Sequence, residues 1–182
     1  MKKVLLLGDS IRMRYQPFVK DLMEGTAEVV GPAENCAFAK FTLWHVDSWI
    51  ATLGPADVIH WNNGIWDLYH HTDEHGIFTP MDEYVATVKR VLARLRKAGV
   101  PIIWATTTAV TQECVKCNNE EIDAYNEAVL KVMRAENIAV NDLNAVIKQN
   151  RSEFISEDNL HLSIKGNKAC AAAVVKAVKS LL

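Results

Sequence analysis

Short continuous apolar runs alternate with segments of helical periodicity along the whole chain. Apolar runs of about four to eight residues between turn signals mark buried strands, and apolar positions at three- and four-residue spacing mark amphipathic helices. Strands are predicted over 3–7, 27–31, 57–61, 100–106 and 138–143, and helices around 17–23 and over 43–53, 120–136 and 163–182. In 43–53, Leu43, Val46, Ile50 and Leu53 share one side. The clearest helix lies between Thr79, a good N-cap, with Pro80 at its first position, and Gly99, a good C-terminal stop. Within it Tyr84, Val88, Leu92 and Leu95 form the apolar stripe, flanked by Val85 and Val91. Ser163 caps the closing helix.

Strands that alternate with helices imply an α/β fold, a five-stranded parallel sheet covered on both faces. Ligands of such sheets sit beyond the carboxyl ends of the strands. Ser10 follows the first strand and 62–67 follow the third, so both project to one rim. With 182 residues and no linker, repeat or low-complexity tract, a single domain over 1–182 is expected.

Composition adds mainly exclusions. The net charge is -2 with scattered Lys and Arg, which gives no basic stripe for nucleic acid. No apolar run is long enough to span a bilayer. Lys2 and Lys3 precede apolar residues in the manner of a leader, but the run is short and enters a turn without a small-residue cleavage site. That pattern predicts a cytoplasmic protein without a membrane partner. Cys36, Cys114, Cys117 and Cys170 are spaced too unevenly for a disulfide framework. Cys114-Val-Lys-Cys117 has metal or redox spacing, but lacks a second half-site, so free loop thiols are expected.

The chemistry is concentrated at the two ends. Val4-Leu5-Leu6-Leu7 stops at Gly8-Asp9-Ser10, and Asp158-Asn159-Leu160-His161 precedes the last helix. A serine needs an imidazole to take its proton, and the imidazole needs an acid to fix its tautomer. Asp158 and His161, three residues apart, can share one turn. The first motif is not a G-x-S-x-G elbow, because Arg12 stands where the second glycine would fall.

These two blocks, with Leu162-Ser163-Ile164-Lys165-Gly166 after the second, resemble those of the SGNH (GDSL-type) hydrolase superfamily, in order and over the whole chain. The resemblance implies a three-layer flavodoxin-like sandwich, with Ser10 as nucleophile, His161 as general base and then acid, and Asp158 as the orienting carboxylate. It implies hydrolysis of a carboxylic ester, with short acyl groups such as acetyl favoured and small-molecule or carbohydrate esters as substrates. No cofactor or metal is required. An acyltransferase with the same triad and a non-catalytic binding protein on the same fold are the alternatives.

The middle blocks depart from the family's pattern. Glu34-Asn35-Cys36-Ala37 has no glycine where an oxyanion donor is usual, leaving the backbone N–H near Cys36 as the candidate. Gly64-Ile65-Trp66-Asp67 has tryptophan where the family has a donor asparagine. Asn62 and Asn63 are the nearest amides, and strand alternation puts Asn62 on the side of Gly64. The expected oxyanion set is therefore Ser10, Cys36, Asn62, Asn63 and Gly64. Arg12 and Trp66 are candidate substrate contacts, and Trp44 and Trp61 could also offer a ring face. His70, His71, Asp73, Glu74 and His75 lack metal-ligand spacing and read as a solvated loop beside the cleft.

Overall fold

The computed structural model describes residues 1–72 and 76–182. Five strands, β1 (Lys2–Leu7), β2 (Ala27–Val30), β3 (Val58–Trp61), β4 (Ile102–Ala105) and β5 (Ala139–Asn141), form one sheet in the order β2-β1-β3-β4-β5. Every pairing is parallel. The helices are α1 (Ser10–Leu22), α2 (Ala39–Leu53), α3 (Met81–Leu95), α4 (Asn119–Ala135), α5 (Leu143–Lys148), α6 (Arg151–Phe154) and α7 (Ile164–Lys179). Helix α1 packs on α7, while α2 packs on α3, which also meets α4. The result is a three-layer flavodoxin-like α/β sandwich.

The central strands are apolar because both of their faces are covered. Val4 to Leu7 of β1, all of β3 and all of β4 are buried. Within β3 that burial includes His60, whose Nε2 accepts a hydrogen bond from the Asn141 amide at 3.0 Å. Removal from water pushes the His60 imidazole down to about 4, so it is neutral in the core.

Several helix starts differ from the sequence pattern. Helix α1 begins at Ser10, and Pro17 lies inside it. Helix α2 begins at Ala39 and buries Ala39, Thr42, Val46 and Trp49, a face rotated from the expected one. Pro80, not Thr79, holds the N-cap position of α3, while Thr79 is buried and its side chain bonds Asp67. The expected stripe of α3 is buried, with Val91 in it. The fifth strand ends at Asn141, short of the expected 143, and α5 and α6 occupy the stretch before the closing helix for which no element was expected. Ser163 does cap α7, accepting from the Gly166 N–H at 3.2 Å.

Leu7 of β1 is in register with Trp61 of β3. The segments leaving these strands start side by side, at the point where the chain order of the sheet reverses. Crevices for ligands open at that point in doubly wound sheets.

Candidate active site

Ser10 is the first residue of α1, two residues beyond Gly8 in the turn that leaves β1. A Cβ on Gly8 would lie 2.7 Å from the Arg12 Cβ, so the close approach of turn to helix requires glycine. Asp9 caps α1, its carboxylate accepting from the Ile11 N–H at 2.9 Å. Burial pushes Asp9 up to about 6 against the opposing pull of that N–H and of Arg12.

The second half of the site is a tight turn closed by the Ile155–Leu162 bridge. Asp158 Oδ1 accepts from the Ser156 hydroxyl at 2.9 Å and from the N–H groups of Leu160 at 3.1 Å and His161 at 2.8 Å. Its Oδ2 lies 2.7 Å from His161 Nδ1. Partial burial works against the charge of Asp158. The His161 and Leu160 N–H groups, the His161 ring and the Ser156 hydroxyl outweigh it and hold the carboxyl below its usual range. Asp158 is therefore an ionised acceptor, which assigns the neutral ring's proton to Nδ1 and leaves Nε2 to accept. Nε2 lies 2.9 Å from Ser10 Oγ. The fold thus brings Ser10 to His161, 151 positions further along the chain, with Asp158 three positions before His161.

The expected oxyanion donors are placed differently. The Cys36 N–H donates to the Gly8 carbonyl at 3.2 Å, and the Ala37 N–H to Asn35 Oδ1 at 2.8 Å. The Asn62 amide donates to the Ala105 carbonyl at 2.8 Å. Asn63 is fully buried: its amide donates to the Ala37 carbonyl and the Thr42 hydroxyl, and its Oδ1 accepts from Trp61 Nε1. These groups satisfy the protein's own carbonyls, the Asn35 amide oxygen and the Thr42 hydroxyl, as buried polar atoms require. Gly64 has φ +154, and a Cβ there would lie 1.9 Å from Thr107 Oγ1. Ser10 stands in the first turn of α1, where N–H groups lack an intrahelical acceptor and the helix dipole favours negative charge.

Arg12 does not face a substrate. It is 2% exposed, and its guanidinium donates to the carbonyls of Gly8, Pro32 and Glu34 and to Gln16 Oε1. It is a tie between α1 and the loop after β2. Trp66 is half-buried and stacks on Tyr69, with ring centroids 5.4 Å apart. Trp61 is buried in the core, and Trp44 is exposed on the groove between α2 and α3. His70 pairs with Glu121 at 2.9 Å. Asp73, Glu74 and His75 lie outside the described residues, among which no cluster of three metal-ligating side chains occurs.

Two residues that hold the elements around the site escaped the sequence pattern. Asp67 is buried and accepts the Ala39 N–H at 2.9 Å, serving as a cap for α2 from a distant loop. Burial pushes it up to about 7, against the Ala39 N–H and the Thr79 hydroxyl. Thr111 binds the Asp158–His161 turn through Asn159, whose φ of +67 is a conformation that asparagine tolerates better than most residues. The Asp-Asn step was a visible turn signal; Thr111 carried none.

No family model and no curated protein sequence matches the chain. Solved structures do. An acetyl xylan esterase, AlAXEase, superposes with a TM-score of 0.81 at 21% identity, over 97% of this chain and 99% of that one. The lipase/acylhydrolase from Enterococcus faecalis gives 0.84 at 17% identity, over 99% and 96%. A GDSL-like lipase from Bacteroides thetaiotaomicron gives 0.79 at 14% identity, over 100% and 89%. The fold is that of the SGNH (GDSL-type) hydrolases. At these identities the likeness speaks for the GDSL-type fold alone, and the chemistry is argued from the residues in place.

Proposed function

We propose that the chain hydrolyses carboxylic esters through an acyl-enzyme on Ser10. The observation that carries this reading is the continuous hydrogen-bonded series Ser10 Oγ, His161 Nε2, His161 Nδ1, Asp158 Oδ2. As Ser10 Oγ attacks the ester carbonyl carbon, His161 Nε2 takes the hydroxyl proton, and Asp158 stays ionised and steadies the imidazolium. The oxyanion forms at the amino end of α1, where the Ser10 N–H and the helix dipole oppose its charge, with the Gly64 N–H as the second candidate donor. Collapse breaks the ester C–O bond, and the imidazolium protonates the departing alcohol. Water, deprotonated by the same histidine, then releases the acid and restores Ser10.

A short acyl group, acetyl first, is the preferred substrate in this reading, with a carbohydrate alcohol as the leaving group. The acetyl xylan esterases among the structures of like fold support that choice. The half-buried Trp66–Tyr69 stack adds an aromatic surface beside the rim strands. Hydrolysis of nitrophenyl esters of increasing acyl length, alongside acetylated xylo-oligosaccharide, tests it. The expected result is turnover that is fastest with acetate and absent in Ser10→Ala. Turnover that survives Ser10→Ala overturns it.

One observation favours a second reading. The side-chain donors expected around the oxyanion are committed to the protein's own carbonyls and hydroxyls, as in a ligand-binding protein that has lost turnover. Ligand binding by acetylated sugar without product release distinguishes that case.

A further inference from the structure

The proposed catalysis leaves Cys114 and Cys117 unused. They sit on the loop between β4 and α4, three positions apart, with Cys114 close enough to bear on the Cys117 thiol. Cys117 is 3% exposed and Cys114 is half-buried, so Cys114 is the more accessible of the two. The Cys114 N–H donates to the Thr111 carbonyl at 3.4 Å. Thr111 in turn holds the Asp158–His161 turn: its N–H donates to the Asn159 carbonyl at 3.1 Å, and its hydroxyl meets Asn159 Oδ1 at 2.9 Å. Asn159 lies between Asp158 and His161 in a left-handed conformation that its surroundings must maintain.

A second connection runs along the other side of the loop. The Lys116 carbonyl accepts from the His70 N–H at 2.8 Å. The neighbouring Tyr69 phenol lies within electrostatic range of Asp9, Asp158, Cys114 and Cys117. Tyr69 is therefore near both the thiol pair and the Asp158 end of the proposed triad.

We propose that Cys114 and Cys117 form a reversible disulfide, with hydrogen peroxide as oxidant, and that its closure weakens the Thr111–Asn159 clamp on the Asp158–His161 turn. The Cys114 thiolate attacks the peroxide oxygen, the O–O bond breaks, and the departing hydroxide takes a proton as water. The resulting sulfenic acid condenses with the Cys117 thiol: an S–S bond forms, the S–O bond breaks, and the Cys117 proton leaves with hydroxide as a second water. Two thiols are oxidised and one peroxide is reduced. Burial pushes the Cys117 thiol up, with Cys114 next to it adding to the effect, which fits Cys117 as the resolving partner rather than the attacking one. An S–S bond of about 2.05 Å fixes Cys114 against Cys117, and the long Cys114–Thr111 hydrogen bond of 3.4 Å is the contact that must adjust to it.

The link to turnover rests on the proposed hydrolase reading, whereas the disulfide does not. The experiment treats the full chain with graded hydrogen peroxide, then follows intact mass, tryptic peptides, amide exchange and acetate-ester turnover. Trypsin cuts after Lys116, between the two cysteines, so the bond reveals itself as two joined peptides. The expected result is a mass lower by two hydrogen atoms, faster exchange at the Leu160 and His161 amides, and a kcat reduced about fivefold or more. A dithiol reductant should reverse all three, and Cys114→Ser should show none of them. Cys117→Ala repeats the control where Cys114→Ser is poorly folded. Absence of the joined peptides overturns the site. Joined peptides with unchanged exchange at Leu160 and His161 overturn the coupling, whether or not the protein turns esters over. Faster exchange without ester turnover in the untreated protein supports the coupling and removes the hydrolase reading instead.

Discussion

At the scale of single residues, the series from Ser10 to Asp158 depends on Asp158 as an acceptor. Asp158→Asn keeps the shape of the turn but removes the charge that orients His161. In the proposed mechanism kcat should fall roughly ten-thousand-fold while the fold persists, as steady-state kinetics and circular dichroism would show. Arg12 acts differently. Its planar fork joins carbonyls from Gly8, Pro32 and Glu34, and a lysine ammonium cannot reach all of them. Arg12→Lys should cost about 2–4 kcal/mol in denaturant unfolding and leave turnover per folded molecule little changed. Unaltered stability would contradict the structural role. The meeting of Ser10, Asp158 and His161 was legible because the first lies at the end of the first strand and the other two in the turn before the last helix. The assignments of Asn62, Asn63 and Arg12 were not, because an amide or guanidinium turns toward whichever buried carbonyl lacks a donor. Those carbonyls come from other parts of the chain, as the Asn62–Ala105 bond shows.

At the scale of elements, the same distinction separates the helices. Helix α7 was legible because its cap is local: Ser163 accepts from Gly166, three residues on. Ser163→Ala should destabilise the protein by about 1 kcal/mol, measured by denaturant unfolding. Helix α2 was placed four residues late because its first free N–H is satisfied by Asp67, 28 positions away. Pro17 suggested a helix start, yet α1 continues through it, with Ile11, Tyr15 and Val19 at four-residue spacing on the buried side. The close contact at Gly64 was equally hidden, since Thr107 comes from beyond the next strand. Gly64→Ala should cost about 2–4 kcal/mol from its positive φ and the collision with Thr107. Adding Thr107→Ala should recover part of that loss, and a simply additive double variant would exclude the collision.

For the whole molecule, the alternation of apolar runs and helical stripes was sufficient to indicate a parallel α/β sandwich. The buried ionisable groups, however, emerge only once the layers close. Asp67 is pushed up to about 7 and Asp9 to about 6, so between the ordinary carboxylate range and those values the folded state binds more protons than the unfolded one. Both groups favour folding at lower pH and cost stability as pH rises through that window. His60, pushed down to about 4, acts oppositely: its contribution is present above the ordinary histidine range and is lost as pH falls toward 4. Asp67→Asn should therefore raise Tm relative to wild type at pH 8, with the gain shrinking as pH drops toward 4. A gain independent of pH would contradict the buried carboxyl's titration.

The measurement closest to the central claim is covalent labelling by a fluorophosphonate, which needs both an activated serine and donors for the developing oxyanion. The proposed hydrolase predicts stoichiometric labelling of Ser10 in the wild type and none in Ser10→Ala or His161→Ala. A folded wild type that stays unlabelled beside a reactive control hydrolase would contradict the account and leave a ligand-binding protein on a hydrolase fold.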